Sequence, residues 1–334
     1  MLKTLCDLYG GSGDEKAVRD YIISEIKDFA DEIKIDNIGN IIAVKKGKKA
    51  GKPIVIGAHM DEVGFIITHI ADDGTLGFSP VGGIEPSAAA GKRVRINGLC
   101  GVIGVRAMHN LTAEERSKTP KFEALRIDIG AEDKKQAESF VKIGDRAYFE
   151  ANFKEIGGGK IISKAIDDRF GCAVLINILK SELPYDCTFA FFSQEEVGCR
   201  GSKAAKLTAD YAIIAETTTA ADFDGVENEK QCCKLGGGAV ISYMDRATVY
   251  DSDLFALAME TADKNHINRQ TKTLIAGGND SSSVNIKNGG IKTAAVSLPC
   301  RCLHTGATVA DKEDIKSTAA LIEALFIAVN ESEI

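Results

Sequence analysis

Beyond Lys160 the chain takes turns between helix-like and strand-like segments. Helix is read in "DDRFGCAVLINILKSE", strand in "CTFAFFS", helix in "GSKAAKLT" and strand in "YAIIAE". Helix "DSDLFALAMETADKN", strand "IKTAAVSL" and a last helix from Asp311 follow. Strands joined through helices in this way pair in parallel and are covered by those helices. The predicted fold is therefore α/β, with a mostly parallel central sheet flanked by helices.

Between about Asp72 and Gly159 the pattern changes to short alternating strands and Gly-rich turns, as in "GKRVRINGLCGVIGV" and "LRIDIGA". That reads as an inserted small β-barrel. Residues 1–71 and 160–334 would then form one catalytic domain, and 72–159 an inserted domain for dimerisation or assembly. Ahead of it, Ser12 and Glu15 have capping-box spacing before Val18, Ile22, Ile26 and Phe29, which recur at helical intervals. "IKIDNIGNIIAVKKG" reads as a hairpin turning at Asn37–Gly39. A buried strand runs to Ile56, breaks at Gly57, and a second strand begins at Val63.

A net charge of −7 argues against nucleic acid as a partner, since phosphate binding needs a basic surface. The apolar runs are too short to span a membrane, and the N-terminus lacks signal-peptide features. Nine cysteines, an odd number without CxxC pairs, fit reduced thiols and hence the cytoplasm.

In open α/β sheets, sites form beyond the carboxyl ends of the strands. His59 and Asp61, Glu195 and Glu196, Glu216, and His304 all follow strand-like segments, and Asp167 and Asp168 open a helix. Taken singly each has an ordinary reading: a satisfied histidine, an N-cap, a solvated turn. His69, His109 and His266 keep that reading. Together, two imidazoles and several carboxylates would carry repulsion and desolvation cost unless cations lay among them. Two divalent ions, Zn first and Co or Mn as alternatives, suit mixed imidazole and carboxylate ligation. One carboxylate would bridge the pair, and another must stay free to take a proton from water. Adjacent glutamates can divide those tasks.

"AHMDEVGF", "AIDDRFG", "SQEEVGCRG", "AETTTAAD" and "PCRCLH" occur in that order, with "GSGDE" and "DNIGN" near the start. In these motifs, and over essentially its whole length, the sequence resembles the tetrahedral (TET) aminopeptidase and glutamyl aminopeptidase family of dinuclear metallopeptidases. Some members of that family carry an endoglucanase label. The resemblance implies that His59, Asp167 and Glu216 bind one metal and that Asp167, Glu196 and His304 bind the other. It implies that Glu195 is the general base and that Asp61 fixes the His59 tautomer. It further implies a cis Asp167–Asp168 peptide, short peptides as substrates, and dimers that build a dodecamer. Glu216 stands where many relatives carry Asp, Cys302 where Tyr is commoner, and "GGNDSSSVN" matches the family's Gly-Gly-Thr-Asp segment in part.

The reading is a metallo-aminopeptidase in which a water between the metals is activated by Glu195. A deacylase or carboxypeptidase on the same site is the near alternative. A glycosidase is a more distant one, because it needs two carboxyl groups and usually no metal. An interaction protein with a vestigial site would be expected to have lost a ligand. Arg200 and Arg301 are candidates to meet an acidic substrate side chain, with structural pairing equally open.

Overall fold

The computed structural model describes residues 1–334 and contains a mixed sheet and a closed six-stranded barrel. Four parallel strands make the sheet's centre, in the spatial order Cys187–Phe192, Ile54–His59, Tyr211–Thr219 and Lys292–Arg301. They are nearly continuous apolar runs because both faces are covered. Ile54–His59 is buried along its whole length.

Alternate side chains of each strand go to opposite cores. Phe189 and Phe191 join a core of 42 buried residues beneath the helices Lys16–Ile26, Ile166–Lys180, Ser252–Lys264 and Lys312–Glu331. Ala190 and Phe192 point the other way into a core of 10, with Leu207 and Val284. Antiparallel strands extend both edges: Ile41–Lys45 and Glu32–Ile35 on one side, Thr308–Asp311, Lys160–Ser163 and Lys154–Ile156 on the other. The sheet is thus parallel at its centre and antiparallel toward both edges of that row. Short returns, such as the turn at Asn37–Gly39, leave no room for a crossover helix.

The barrel closes in the order Gly64–Ile70, Leu76–Val81, Arg126–Asp128, Leu99–Gly104, Arg93–Ile96 and Arg146–Phe149. Its own core of 17 buried residues centres on Phe65, packed edge-on against Phe78 and Phe149. The first barrel strand lies ahead of residue 72. It follows the sheet strand Ile54–His59 after only four residues, so the barrel is fastened directly to the sheet's carboxyl end.

Three local readings differ from the structure. Ser12 does not cap the first long helix, whose N-cap residue is Glu15. Its hydroxyl instead donates to Asp61 Oδ2 at 2.6 Å, a bond that a local pattern cannot register. "GSKAAKLT" yields only the short helix Arg200–Ala204. Two strands of three residues, Ala239–Ile241 and Arg269–Thr271, pair in parallel and are too short to leave a periodic trace. No helix is long and apolar enough to cross a membrane.

Candidate metal centre

Strand register brings the first candidate ligands together. His59 pairs with Phe192, so the residues after Phe192 emerge beside it. Gly57 pairs with Ile214, which puts His59 and Glu216, two residues further along each strand, at one level. Glu216 is buried, and its Oε2 lies 3.8 Å from His59 Nε2.

Asp167 sits between the two histidines. Its Oδ1 is 3.3 Å from His59 Nε2 and its Oδ2 is 3.4 Å from His304 Nε2. Glu196 Oε2 approaches the same His304 nitrogen at 3.3 Å. Each imidazole is aimed from behind: His59 Nδ1 lies 3.1 Å from the Asp61 carbonyl, and His304 Nδ1 lies 2.8 Å from Gly83 O. Gly83 belongs to the barrel side, so the barrel helps set the His304 ring. The Asp167–Asp168 peptide is cis, as the resemblance implied.

Asp61 is fully buried, and most of its bonds go to the glutamate turn. Oδ1 accepts from Glu195 N at 2.9 Å, and Oδ2 accepts from Glu196 N at 3.2 Å as well as from Ser12. Oδ1 stands 3.4 Å from His59 Nδ1, so one carboxylate fixes both His59 and the doublet. With its backbone held, Glu196 faces His304. Glu195 lines the cavity, and its Oε1 accepts from Cys199 Sγ at 3.3 Å. All seven residues singled out from the sequence therefore meet in one place. His69, His109 and His266 are exposed and lie apart from it.

Asp168 was noticed in the sequence but assigned no part. It is fully buried, and its Oδ1 accepts from Gly171 N at 2.9 Å while Oδ2 has no partner. His59, Asp168 and Glu216 form one group whose donor atoms all lie within 4.8 Å, and His59, Asp167 and Glu196 form another. An orphaned, buried carboxylate oxygen in such a group fits a cation site.

The electrostatics show the same crowding. Burial pushes Glu196, Glu216 and Asp168 well above the ordinary carboxylate range. Burial also raises Glu195, helped by the negative charges of Asp61 and Asp167. His59 rises although burial opposes it, because Glu216, Asp167 and Asp61 favour its charged form. His304, with burial again opposing, is carried to about 10 by Asp167 and Glu196. Both shifts favour positive charge at the two imidazoles, the sign of charge that a divalent ion would supply among these carboxylates.

Beneath the site lies an ion network that the sequence did not announce. Lys164 Nζ binds both oxygens of Glu62, at 2.8 and 2.9 Å. Arg169 donates to the carbonyls of Met60 at 2.8 Å, Leu5 at 2.6 Å and Gly10 at 3.0 Å. One guanidinium thus ties the N-terminal turn to the loop after His59 and to the helix carrying Asp167.

The glycine after this run is a close approach. A Cβ at Gly171 would stand 2.2 Å from Asp168 Oδ2 and 2.8 Å from the Cβ of Ala58. Gly171→Ala is therefore expected to destabilise by about 1–3 kcal/mol and to weaken metal retention, read by urea unfolding and metal analysis.

The chain is similar to known aminopeptidases over most of its length. The model of the M42 glutamyl aminopeptidase family matches residues 39–321. A chain from Acetivibrio thermocellus, provisionally named an aminopeptidase, is 39% identical over 326 residues and covers 96% of each chain. The lysyl aminopeptidase of Pyrococcus furiosus is 30% identical over 336 residues, covering 97% of this chain and 95% of its own. Among solved structures, the TET1 peptidase of Pyrococcus horikoshii superimposes with a TM-score of 0.85 at 36% identity, covering 97% of each chain. That protein is described as assembling into a tetrahedron or a large octahedral shell. From the extent of these matches and the fold they share, the chain belongs to the M42 glutamyl aminopeptidase family, and it is an aminopeptidase, a hydrolase of peptide bonds.

Proposed function

We propose that the protein is a dinuclear metal-dependent aminopeptidase that releases N-terminal residues from short peptides. The observation that carries this reading is the placement of Asp167, with one carboxylate oxygen facing His59 and the other facing His304. Asp167 would bridge two ions, one completed by His59 and Glu216 and the other by Glu196 and His304. Asp168 Oδ2 stands ready beside the first. Zinc is the leading candidate, and cobalt or manganese would suit the same donors.

When bound, the ions supply a water of lowered pKa and a Lewis acid for the scissile carbonyl. The chain's own residues do the rest. Asp61 holds His59 in the tautomer that leaves Nε2 free to ligate, and it pins the Glu195–Glu196 turn. Glu196 and Glu216 are committed to ligation. Glu195 takes the proton from the attacking water at its carboxylate and delivers it to the leaving amine nitrogen.

A deacylase on the same centre would prefer blocked termini, so paired free and N-acetylated peptides separate the two activities. Metal removal tests the reading as a whole. A chelator is expected to abolish hydrolysis of unblocked aminoacyl anilides, and zinc, cobalt or manganese to restore it. Full activity after verified removal of metal would contradict the reading.

Self-association belongs to the same proposal. The barrel exposes Val102, Val105, Met108, Phe140 and Ile143, an apolar set suited to contacts between copies that build dimers and then a dodecamer. The assembly of the Pyrococcus horikoshii relative supports it. Light scattering of the purified protein should give a mass near twelve chains. Nine unpaired thiols support a reducing compartment, the cytoplasm.

Family membership spans both charges of substrate: the family takes its name from glutamyl residues and the Pyrococcus furiosus relative from lysyl residues.

A further inference from the structure

A cavity of about 640 Å³ opens from the metal-ligand cluster. Asp167, Glu195, Glu196, Glu216 and His304 line one part of it, and Cys232, Lys272 and Leu274 line another. Lys272 is the single lysine or arginine on its walls. Arg301 is held by Asp222 through two bonds of 2.6 and 2.8 Å, and Arg200 is exposed and lines no part of the cavity.

Donors gather around the Cys232 sulfur. Thr218 Oγ1 lies 3.8 Å from it, the Cys233 thiol and the Leu274 N–H hydrogen-bond to it, and the Lys272 ammonium acts on its charge. Lys272 is buried and donates to Ala276 O at 2.8 Å, a neutral acceptor, so the Cys232 thiolate supplies the counter-charge that a buried ammonium needs. The backbone there is fixed as well, because Thr273 N and Thr273 Oγ1 both donate to Cys232 O at 3.1 Å. The bond from Cys233 first, and then Lys272 and Thr218 against burial, hold the Cys232 thiol down to about 6.

Other thiols of the chain differ. Burial pushes those of Cys6, Cys172, Cys187, Cys199 and Cys300 up. Cys233 is raised by its bond to Cys232 and then by burial, with the Cys300 thiol and the Asp222 carboxylate acting in the same direction. Its thiol donates to Thr219 O at 3.5 Å. Thr217, buried on the cavity wall, has a hydroxyl without a partner, an unmet polar group for a molecule that enters.

We propose that Cys232 is a modification site, where small disulfides of the type R–S–S–R couple to the cavity wall and close the cavity to peptides. The thiolate attacks one reagent sulfur, the new S–S bond forms as the old one breaks, and R–S⁻ leaves and takes a proton from water. The Cys232 sulfur is oxidised and the departing sulfur reduced, so the reagent is the whole oxidant. Cys233 stays protonated and does not displace the R–S group, so the mixed disulfide lasts until an external thiol attacks it. A reducing compartment keeps the cavity open, and a rise in small disulfides shuts it. Coupling stands on the wall alone; closure to peptides rests on the aminopeptidase reading of the centre.

The probe is 2-hydroxyethyl disulfide, which carries no charge. Metal-loaded wild-type protein is treated with it, freed of reagent, and read by peptide mapping and by hydrolysis of Leu p-nitroanilide. One hydroxyethylthio group should appear on Cys232, and activity should fall in proportion to its occupancy. Treatment with 2-mercaptoethanol followed by metal reloading should restore both. Between pH 7 and 9 the coupling rate at Cys232 should change by less than about 2-fold, since a thiol near 6 is already ionised there. A thiol of ordinary pKa would speed up roughly 25-fold over the same range. Lys272→Gln should slow coupling at pH 7, and treated Cys232→Ser should match its own untreated sample.

Absence of the group from Cys232 while the exposed Cys100 and Cys302 couple would overturn the proposal. Full activity with Cys232 fully coupled, or a loss that follows coupling at Cys199 instead, would overturn it equally. Untreated protein inert on every unblocked substrate would sink the reading of the centre and the closure with it, while the map would still decide the coupling. The wild-type map is decisive alone, so a poorly folded variant does not hide the answer.

Discussion

Glu195→Gln is expected to lower kcat by roughly 10²- to 10⁴-fold, the range for losing a positioned general base, while metal content stays at the wild-type value. The reason lies in how the doublet divides. Glu196 faces His304 at 3.3 Å and Glu216 faces His59 at 3.8 Å, which on the proposed reading would place both in the ligand set. Glu195 faces the cavity, touching only the Cys199 thiol, and its backbone is locked by Asp61. Burial, then the charges of Asp61 and Asp167, lift its carboxyl above the ordinary range, which matches a group that must both accept and return a proton near neutral pH. Glutamine keeps the shape and removes the basicity. Steady-state kinetics on a free aminoacyl anilide, with metal analysis of the same sample, checks both halves. Retained turnover would give the base to another residue. Lost metal would make Glu195 a ligand.

Arg169→Leu is expected to cost about 3–5 kcal/mol of stability, the magnitude typical of breaking a buried ionic network by removing one partner. Arg169 is fully buried and donates to four backbone carbonyls, and its second terminal nitrogen lies 3.4 Å from Glu62 Oε1. Leucine would leave the Met60 and Leu5 carbonyls without that partner, while Gly10 O keeps Glu62 N and Leu8 O keeps Lys164 Nζ, and it would deprive Glu62 of one of its two cations. The damage should reach the centre as well, because the Met60 carbonyl lies between His59 and Asp61 in the chain and Arg169 follows Asp168 directly. Urea unfolding gives the stability change. Metal titration of the folded fraction should show weaker retention than wild type. A loss below about 1 kcal/mol would mean that the network contributes little.

The sequence was most informative where a single strand or helix carries the whole message. Cys187–Phe192 is apolar except for Thr188 because both its faces are covered, and the two glutamates that follow mark the strand's carboxyl end. The ordered motifs then named seven residues that the fold does bring together. What escaped notice depends on contacts between distant segments. Ser12 looks like a helix cap by its local spacing, yet it bonds to Asp61, 49 residues away. Lys164 and Glu62 lie 102 residues apart, so no periodicity links them. Asp168 differs from Asp167 in nothing the sequence shows; only the backbone at Ala165–Asp168 decides which of them faces both histidines. The strand read from Val63 is present as Gly64–Ile70, but it belongs to the barrel rather than to the sheet side of the boundary drawn near residue 72, because its pattern fits either domain.

Metal stoichiometry tests the central claim most directly. Protein stripped by a chelator, reloaded with excess cobalt or zinc and freed of unbound ion should retain close to two ions per chain, and Asp167→Asn should retain one or fewer because its carboxylate serves both positions. Wild-type protein that keeps fewer than one ion per chain, or an Asp167→Asn variant that keeps two, would contradict it.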